Sequence, residues 1–251
     1  MHDLAYFFTF FTATPPEKFC FFTLLTAIFA GLGRVVRGVT TGGALAGAAI
    51  CFGLLWGGGI AGFVLLLTVF VLTWISTRLG RTHKTRLGTA QARAGRDALQ
   101  VLANLGAAAT CALVFAFVWP DQRLLIAMAA ALAEAAADTA SSEIGQAFGG
   151  TPRLVTNWGK VAAGTNGAIT LAGSLAGVAG AVTVGLLGVL TGLLAWRGFP
   201  ICAGAGLAGM LADSFLGATL ERRGLLGNNG VNFISTVITA VFAIVLLLKI
   251  T

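Results

Sequence analysis

The chain contains about eight long apolar runs, and no other feature constrains its fold as strongly. Each run approaches the ~20 residues that an α-helix needs to cross the hydrocarbon core of a bilayer. Only 10% of the residues are charged, whereas soluble domains carry roughly 25%. A water-soluble fold of this composition would leave too much apolar surface exposed. The sequence therefore predicts an all-α, polytopic membrane helical bundle with about seven or eight transmembrane helices, forming a single transmembrane domain over residues 1–251.

The apolar runs also give approximate helix bounds. The predicted spans are 18–33, 41–57, 59–78, 97–119, 122–144, 167–195, 200–221 and 231–250. Only the sequence GGG at 57–59 separates the second and third spans, which predicts a tight helical hairpin with a permissive backbone. The segment ahead of the first span contains Pro15 and Pro16 and is expected to form a short interfacial lead.

The net charge of +7 is distributed unevenly between the two membrane faces. With the N-terminus outside and the spans alternating, only four basic residues remain outside, namely Lys18, Arg123, Arg197 and Lys249. The other basic residues fall on the cytoplasmic side, as the positive-inside rule requires. Every polar-rich connection then lies on that face, which favours chemistry at the cytoplasmic side of a cell or inner membrane. No long soluble basic face exists, so nucleic acid is excluded as a partner.

Three carboxylates interrupt the alanine-rich run EAAADTASSEIG at 134–145. Glu134 and Asp138 share one helix face, whereas Glu143 would point elsewhere on a straight helix, so we expect the helix to end or bend near 141–145. Each charge costs about 2.5–3.5 kcal/mol at the bilayer centre, so the group needs compensation. Two interpretations remain open: an ion pair with a basic loop residue, or ligation of Mg²⁺ by hard oxygen atoms.

Four further polar stretches accompany this run. LADSFLGATLERR contains Asp213 and Ser214 on another span. Arg93, Asp97, Gln100 and Asn104 trace a polar stripe into the fourth span, with Arg96 beside it. Forked arginine donors bind phosphate oxygens well.

GKVAAGTNGAIT places Lys160 and Asn166 near a turn before the sixth span, and GNNGVNF places Asn228, Asn229 and Asn232 at the mouth of the last span. Helix capping explains one such asparagine, whereas three favour recognition of a ligand or a polar network.

Together, these motifs resemble a known family. QVLANLG, ADTASSEIG, GTNGAIT and LADSFLGATLERR…NNGVNF occur in this order in the integral membrane family called domain of unknown function 92. That family includes transmembrane protein 19 and the chloroplast phytyl-phosphate kinase of vitamin E synthesis. The resemblance implies phosphorylation of an isoprenoid monophosphate to its diphosphate by a nucleoside triphosphate. A distant similarity to enzymes of the dolichol-kinase group implies CTP as a possible donor.

The implied chemistry assigns roles to the polar residues. Asp138 and Asp213 would hold Mg²⁺ as the cofactor, with Glu143 as a third metal ligand or a contact to water, and these three form the expected catalytic group. The partners would be an isoprenoid phosphate lipid, a nucleoside triphosphate and membrane lipids. The expected substrate- and nucleotide-binding residues are Arg93, Arg96, Asp97, Asn104, Ser142, Lys160, Thr165, Asn166, Ser214, Asn228, Asn229 and Asn232.

Two other functions are compatible with the same residues. A cytidylyltransferase-like enzyme would join a lipid phosphate to CTP and release pyrophosphate. An ion-coupled transporter of lipid or solute would also use intramembrane carboxylates, but it needs polar groups at the midplane or access from both faces.

Overall fold

A computed structural model describes residues 15–250, so the predicted interfacial lead lies almost entirely outside the described residues. Seven helices in that part of the chain are long and apolar enough to cross a membrane, which confirms the predicted all-α membrane bundle. The helices are α1 (Pro15–Val35), α2 (Thr41–Arg78), α3 (Arg81–Arg86), α4 (Ala98–Phe117), α5 (Gln122–Phe148), α6 (Leu171–Leu190), α7 (Gly198–Leu216) and α8 (Asn228–Ile250). A π-turn, Gly217–Glu221, extends α7.

Helix α2 is a hairpin of two arms, because its backbone turns at Gly59 (φ 60°, ψ −155°). A Cβ atom on Gly62 would stand 2.7 Å from the carbonyl oxygen of Leu54. A straight helix would separate residues eight apart by about 12 Å along its axis. The second and third predicted spans are therefore the two arms of α2, and the described chain crosses the bundle eight times.

Helix α5 occupies the centre of the bundle and packs against α2, α4, α6, α7 and α8. Its alanines keep the helix narrow, and small residues let membrane helices approach closely. Glycines on α6 complete the contact, because Cβ atoms on Gly177 and Gly180 would stand 3.2 Å from Ala137 O and 3.1 Å from Ala136 O. The carboxylates of α5 are consequently surrounded by protein, not by lipid.

The polar connections meet at one end of the bundle. The loop before α4 pairs with the end of the first connection through the bridge Val39↔Arg96. Cβ atoms added at Gly80 and Gly167 would stand 2.5 Å from Ala147 Cβ and 2.5 Å from Ser214 O. These close approaches bring the 78–97, 149–170 and 217–228 connections together over the carboxyl-terminal end of α5.

Two local predictions at this end were wrong. Helix α5 neither ends nor bends near 141–145 but continues to Phe148. The sixth span begins at Leu171 instead of 167, because residues Ala168–Ile169 (β2) pair antiparallel with Arg153–Leu154 (β1). Thr170 then caps α6 by accepting a hydrogen bond from Gly173 N through its hydroxyl.

Candidate functional site

The carboxyl-terminal half of α5 lines a cavity of about 240 Å³, which we call the polar cavity. Helix α5 contributes Asp138 and Glu143, α7 contributes Asp213, and the π-turn contributes Glu221. Helices α4 and α8 and the loop before β2 supply amide side chains and backbone around these carboxylates. Acidic groups from separate elements therefore share one cavity.

Ser235 on α8 lies between two of the buried carboxylates. Its Oγ lies 2.8 Å from Glu134 Oε1 and 3.2 Å from Asp213 Oδ2. Glu134 is only 1% exposed. Gly209 makes room for it, because a Cβ there would stand 2.7 Å from Glu134 Cγ. A hydroxyl has one proton to donate, so Ser235 can satisfy only one of these carboxylates. The other carboxyl must be protonated, accept from another donor or bind a cation.

Arg96 brings a cation to the acidic group. Its backbone is hydrogen-bonded on both sides to the turn at 38–40, which fixes the residue at the mouth of the cavity. Its Nη2 donates to Thr139 Oγ1 at 3.2 Å, whereas its buried Nε has no partner. Burial lowers the pKa of the Arg96 guanidinium, and the negative charges of Glu143 and Asp138 oppose that shift. A buried guanidinium with an unused donor is suited to binding an anionic ligand.

Glu143 has a cation of its own. Lys84 on α3 is fully buried and its Nζ lies 2.5 Å from Glu143 Oε2. The same Nζ donates to the carbonyl oxygens of Ser76 (3.0 Å) and Thr77 (2.9 Å), so all three ammonium donors are used. The Thr77 hydroxyl also donates to Glu143 Oε1 at 3.2 Å. Of the two interpretations left open by the sequence, the ion pair with a basic loop residue is therefore confirmed for Glu143.

Amide side chains surround the opposite side of the cavity. Asn232 Nδ2 donates to Asn104 Oδ1 at 3.2 Å, which joins α8 to α4. Asn104 Nδ2 in turn donates to the carbonyl oxygen of Gln100 at 2.8 Å. Asn166 and Asn228 also line the cavity. The amides form a polar wall that faces the carboxylates.

Most of the residues predicted from the sequence line this one cavity. They are Arg96, Asn104, Asp138, Ser142, Glu143, Thr165, Asn166, Asp213, Ser214, Asn228 and Asn232. The polar residue types in the short motifs, together with the chemistry that the family resemblance implies, selected them, although the motifs gave no indication of their distances.

Four predicted residues lie elsewhere. Arg93 lines a neighbouring apolar cavity. Asp97 caps α4 in a capping box with Gln100, so its carboxylate is used at the helix end. Lys160 is exposed in the loop between β1 and β2. Asn229, the second residue of α8, is not among the lining residues, because α8 turns Asn228 and Asn232 toward the cavity.

Several contributors were not assigned to the site from the sequence. Thr139 and Glu221 line the cavity, and Glu134 lies beneath it. Ser235 could have been found, since it lies one helical turn after the asparagines of the last motif. The sequence did not distinguish Lys84 from the other basic residues of the same polar loop.

The donor set fits a hard divalent cation only in part. Within residues 15–250, no group of three His, Cys, Asp or Glu side chains is placed to hold a metal ion. Glu143 forms an ion pair with Lys84, so it is not available as a third metal ligand beside Asp138 and Asp213. Asp138 and Asp213 are the residues that would hold Mg²⁺, because this ion needs only one or two carboxylates when phosphates complete its shell. A cation there would compensate the carboxylate that the Ser235 hydroxyl leaves without a donor.

The fold and the polar cavity together define a polytopic helical membrane protein with an acidic site at one end of its bundle. The chain belongs to the integral membrane protein family DUF92, which matches residues 24–240.

Relatives share most of the length of the chain. Uncharacterized membrane protein MJ0933 of Methanocaldococcus jannaschii is 34% identical over 226 residues, which cover 89% of this chain and 92% of the relative. Protein PGR of Arabidopsis thaliana is 32% identical, covering 73% of this chain and 85% of its own. Protein VTE6, chloroplastic, of Arabidopsis thaliana is 29% identical, covering 94% and 73%. No solved structure matches the chain.

Proposed function

We propose that this protein is a membrane kinase that converts an isoprenoid monophosphate to the diphosphate with a nucleoside triphosphate. The observation that carries the proposal is the polar cavity, in which carboxylates from α5 and α7 lie together with Arg96 and amide side chains. The resemblance of the motifs to a family that includes a chloroplast phytyl-phosphate kinase supports the same reaction. The distribution of basic residues supports a reaction at the cytoplasmic face.

The reaction needs positioning and charge neutralisation more than covalent help. An oxygen of the acceptor monophosphate attacks the γ-phosphorus, the bond to the β,γ-bridging oxygen breaks, and a nucleoside diphosphate leaves. The acceptor is largely ionised at neutral pH, since its second pKa is about 6, so no strong general base is required. This agrees with a cavity whose lining residues include no histidine.

The lining residues divide these tasks among themselves. Asp138 and Asp213 would hold Mg²⁺, which would neutralise phosphate charge when bound. Arg96 lines the cavity and would supply forked guanidinium donors to phosphate oxygens. Asn166, Asn228 and Asn232 offer amide donors and acceptors that orient the nucleotide or the lipid phosphate. The nucleotide is CTP or another nucleoside triphosphate, and nothing in the cavity selects among them.

An activity panel tests the proposal. Purified protein in lipid nanodiscs would be supplied with Mg²⁺, each of the four common nucleoside triphosphates, and geranyl, farnesyl, geranylgeranyl or phytyl phosphate. We expect a prenyl diphosphate and a nucleoside diphosphate in equal amounts. Release of pyrophosphate with a nucleotide-linked lipid would instead identify a cytidylyltransferase. Solute flux into proteoliposomes without nucleotide, together with no lipid product, would contradict the kinase.

A further inference from the structure

A second cavity of about 380 Å³ adjoins the polar cavity, and we call it the apolar cavity. It lies between α1, both arms of α2, α4 and α5. Its walls are mostly hydrocarbon, with Phe29, Leu66, Val69 and Phe70 among the lining side chains. The volume is within the range of about 300–1,000 Å³ that ligand pockets occupy.

The two cavities meet at one wall. The residues that line both are Gln91, Arg96, Gln100, Asn104 and Thr139. Arg96 therefore contributes to the lining of both spaces, and its Nε is buried without a hydrogen-bond partner. A ligand that occupied both would place its junction atoms beside a guanidinium.

The charges of the two cavities are opposite. The polar cavity contains four carboxylates, Asp138, Glu143, Asp213 and Glu221. The apolar cavity contains no Asp or Glu among its lining residues, all of which belong to the described part of the chain. Its charged lining residues are Arg37, Arg78, Arg81, Arg93 and Arg96. A long apolar space with a basic mouth is complementary to an anionic headgroup on a hydrocarbon chain.

The basic mouth is held in place by the surrounding backbone. Arg78 stacks on the Trp74 ring with its guanidinium carbon 3.9 Å from the ring centroid, and its Nη2 donates to Val36 O at 2.6 Å. Arg81 Nη2 donates to Gln91 O at 3.1 Å. The second arm of α2 lines the cavity from Thr77, beside this mouth, to Leu66. At 1.5 Å per residue this stretch is about 17 Å long.

We propose that the apolar cavity binds the hydrocarbon chain of the isoprenoid monophosphate, with its phosphate beside Arg96, and that the absence of a side chain at Gly47 admits the longer chains. The proposal rests on the proposed function for its choice of ligand. Gly43 lies at the mouth, where the Arg96 backbone occupies the space that a Cβ would need. Gly47 lies one helical turn further along the first arm, and a Cβ there would meet nothing within 4 Å. Its lack of a side chain therefore leaves the deeper part of the cavity open.

The series Gly47→Ala, Gly47→Leu and Gly47→Phe tests the proposal by adding side chains to this open space. We expect kcat/KM for geranylgeranyl phosphate to fall relative to that for geranyl phosphate, by about tenfold or more for the two larger residues, because pocket filling excludes long chains. Gly204→Leu on α7 is the matched control, since a Cβ there also meets nothing within 4 Å but Gly204 lines neither cavity. An unchanged ratio in active Gly47 variants would overturn the inference and leave the kinase intact.

A binding measurement separates this inference from the kinase itself. A photoreactive geranylgeranyl phosphate should label peptides of α1 and α2 around Phe29 and Phe70 in the unmodified protein and in Gly204→Leu. The label there should fall at least about tenfold in Gly47→Phe. Labelling of these peptides without turnover of any prenyl phosphate would refute the kinase but support the cavity. Labelling confined to other helices would overturn the inference.

Discussion

Glu143 and Asp138 lie five residues apart on α5 and line the same cavity, but their surroundings differ. Glu143 forms an ion pair with the fully buried Lys84 and accepts a second hydrogen bond from Thr77. Asp138 shares the charge of Arg96 with Glu143, and its other charged neighbours are acidic. One carboxylate is fully compensated within the protein and the other only in part.

This difference distinguishes a structural group from a functional one. A buried ion pair with all its hydrogen bonds satisfied needs no ligand, and removing one partner is strongly destabilising. Ionised carboxylates buried at Asp138 and Asp213 would be stabilised by a bound cation, and intramembrane carboxylates of this kind are characteristic of functional sites. The comparison therefore predicts that Glu143 contributes to stability and that Asp138 contributes to the proposed activity.

Asp138→Asn provides the largest expected effect. We expect kcat to fall by about 10³–10⁵-fold, the range reported for losing one charge-stabilising group in phosphoryl transfer. The variant should express and unfold like the unmodified protein. Within the described residues Asp138 has no cation of its own, so removing its charge leaves no buried cation without a partner. Prenyl diphosphate formation at saturating Mg²⁺ and nucleotide measures the effect.

Two variants make this result specific. Glu143→Gln should retain far more turnover than Asp138→Asn but unfold at lower temperature. Asp121→Asn, at the opposite end of α5 about 25 Å away at 1.5 Å per residue, should leave turnover unchanged. Equal loss of turnover in Asp138→Asn and Glu143→Gln would remove the distinction between the two carboxylates.

Lys84→Met tests the compensated half of the comparison. It leaves Glu143 buried without its cation, so we expect the free energy of unfolding to fall by about 3–5 kcal/mol. The double variant Lys84→Met/Glu143→Gln should recover most of this loss, because no unpaired charge remains. Unfolding in nanodiscs, followed by heat or denaturant, measures both variants.

Lys160→Met is the matched control for this experiment, because Lys160 is an exposed lysine in another polar loop at the same end of the bundle. Its free energy of unfolding should stay within about 0.5 kcal/mol of the unmodified protein. A double variant no more stable than Lys84→Met would mean that Lys84 stabilises the fold through Ser76 and Thr77, and not through Glu143.

The sequence could predict the spans and most of the cavity, because both depend on local patterns. The fourth span, predicted over 97–119, is Ala98–Phe117, and the hairpin followed from three glycines. The spacing could not predict which side chains would pair across the bundle. Lys84 and Glu143 are 59 residues apart. Lys84 lies in a connection between two spans, and the short helix α3 buries its side chain.

The two arginines before α4 show the same limit. Arg93 and Arg96 looked equivalent as phosphate ligands, yet only Arg96 reaches both cavities. The difference comes from backbone hydrogen bonds between Arg96 and the turn at 38–40, a contact with a distant segment. Local pattern identifies chemical type, whereas long-range packing decides which residue of that type faces the site.

The smallest expected effect concerns the partly exposed counterpart of the Lys84–Glu143 pair. Asp121 precedes α5, and hydrogen bonds from the side chain and backbone of Arg123 lower the pKa of its carboxyl. A carboxyl with a lowered folded-state pKa stabilises the fold above its unfolded pKa of about 3.9, and this contribution is lost as the pH falls through the folded value. Asp121→Asn should lower the unfolding temperature slightly at pH 7, since asparagine still caps the helix and exposed pairs contribute little.

The difference in unfolding temperature between Asp121→Asn and the unmodified protein should shrink as the pH falls from about 4 through the lowered pKa of folded Asp121, where the aspartate becomes protonated. Parallel measurements on Lys84→Met at pH 7 should show a much larger loss, because burial and not the presence of opposite charges determines what an ion pair contributes. The Asp121 and Arg123 side chains are 16% and 31% exposed. A loss of unfolding temperature at Asp121 as large as that at Lys84, or one independent of pH, would show that the two ion pairs are equivalent. Exposure would then not weaken the Asp121–Arg123 pair.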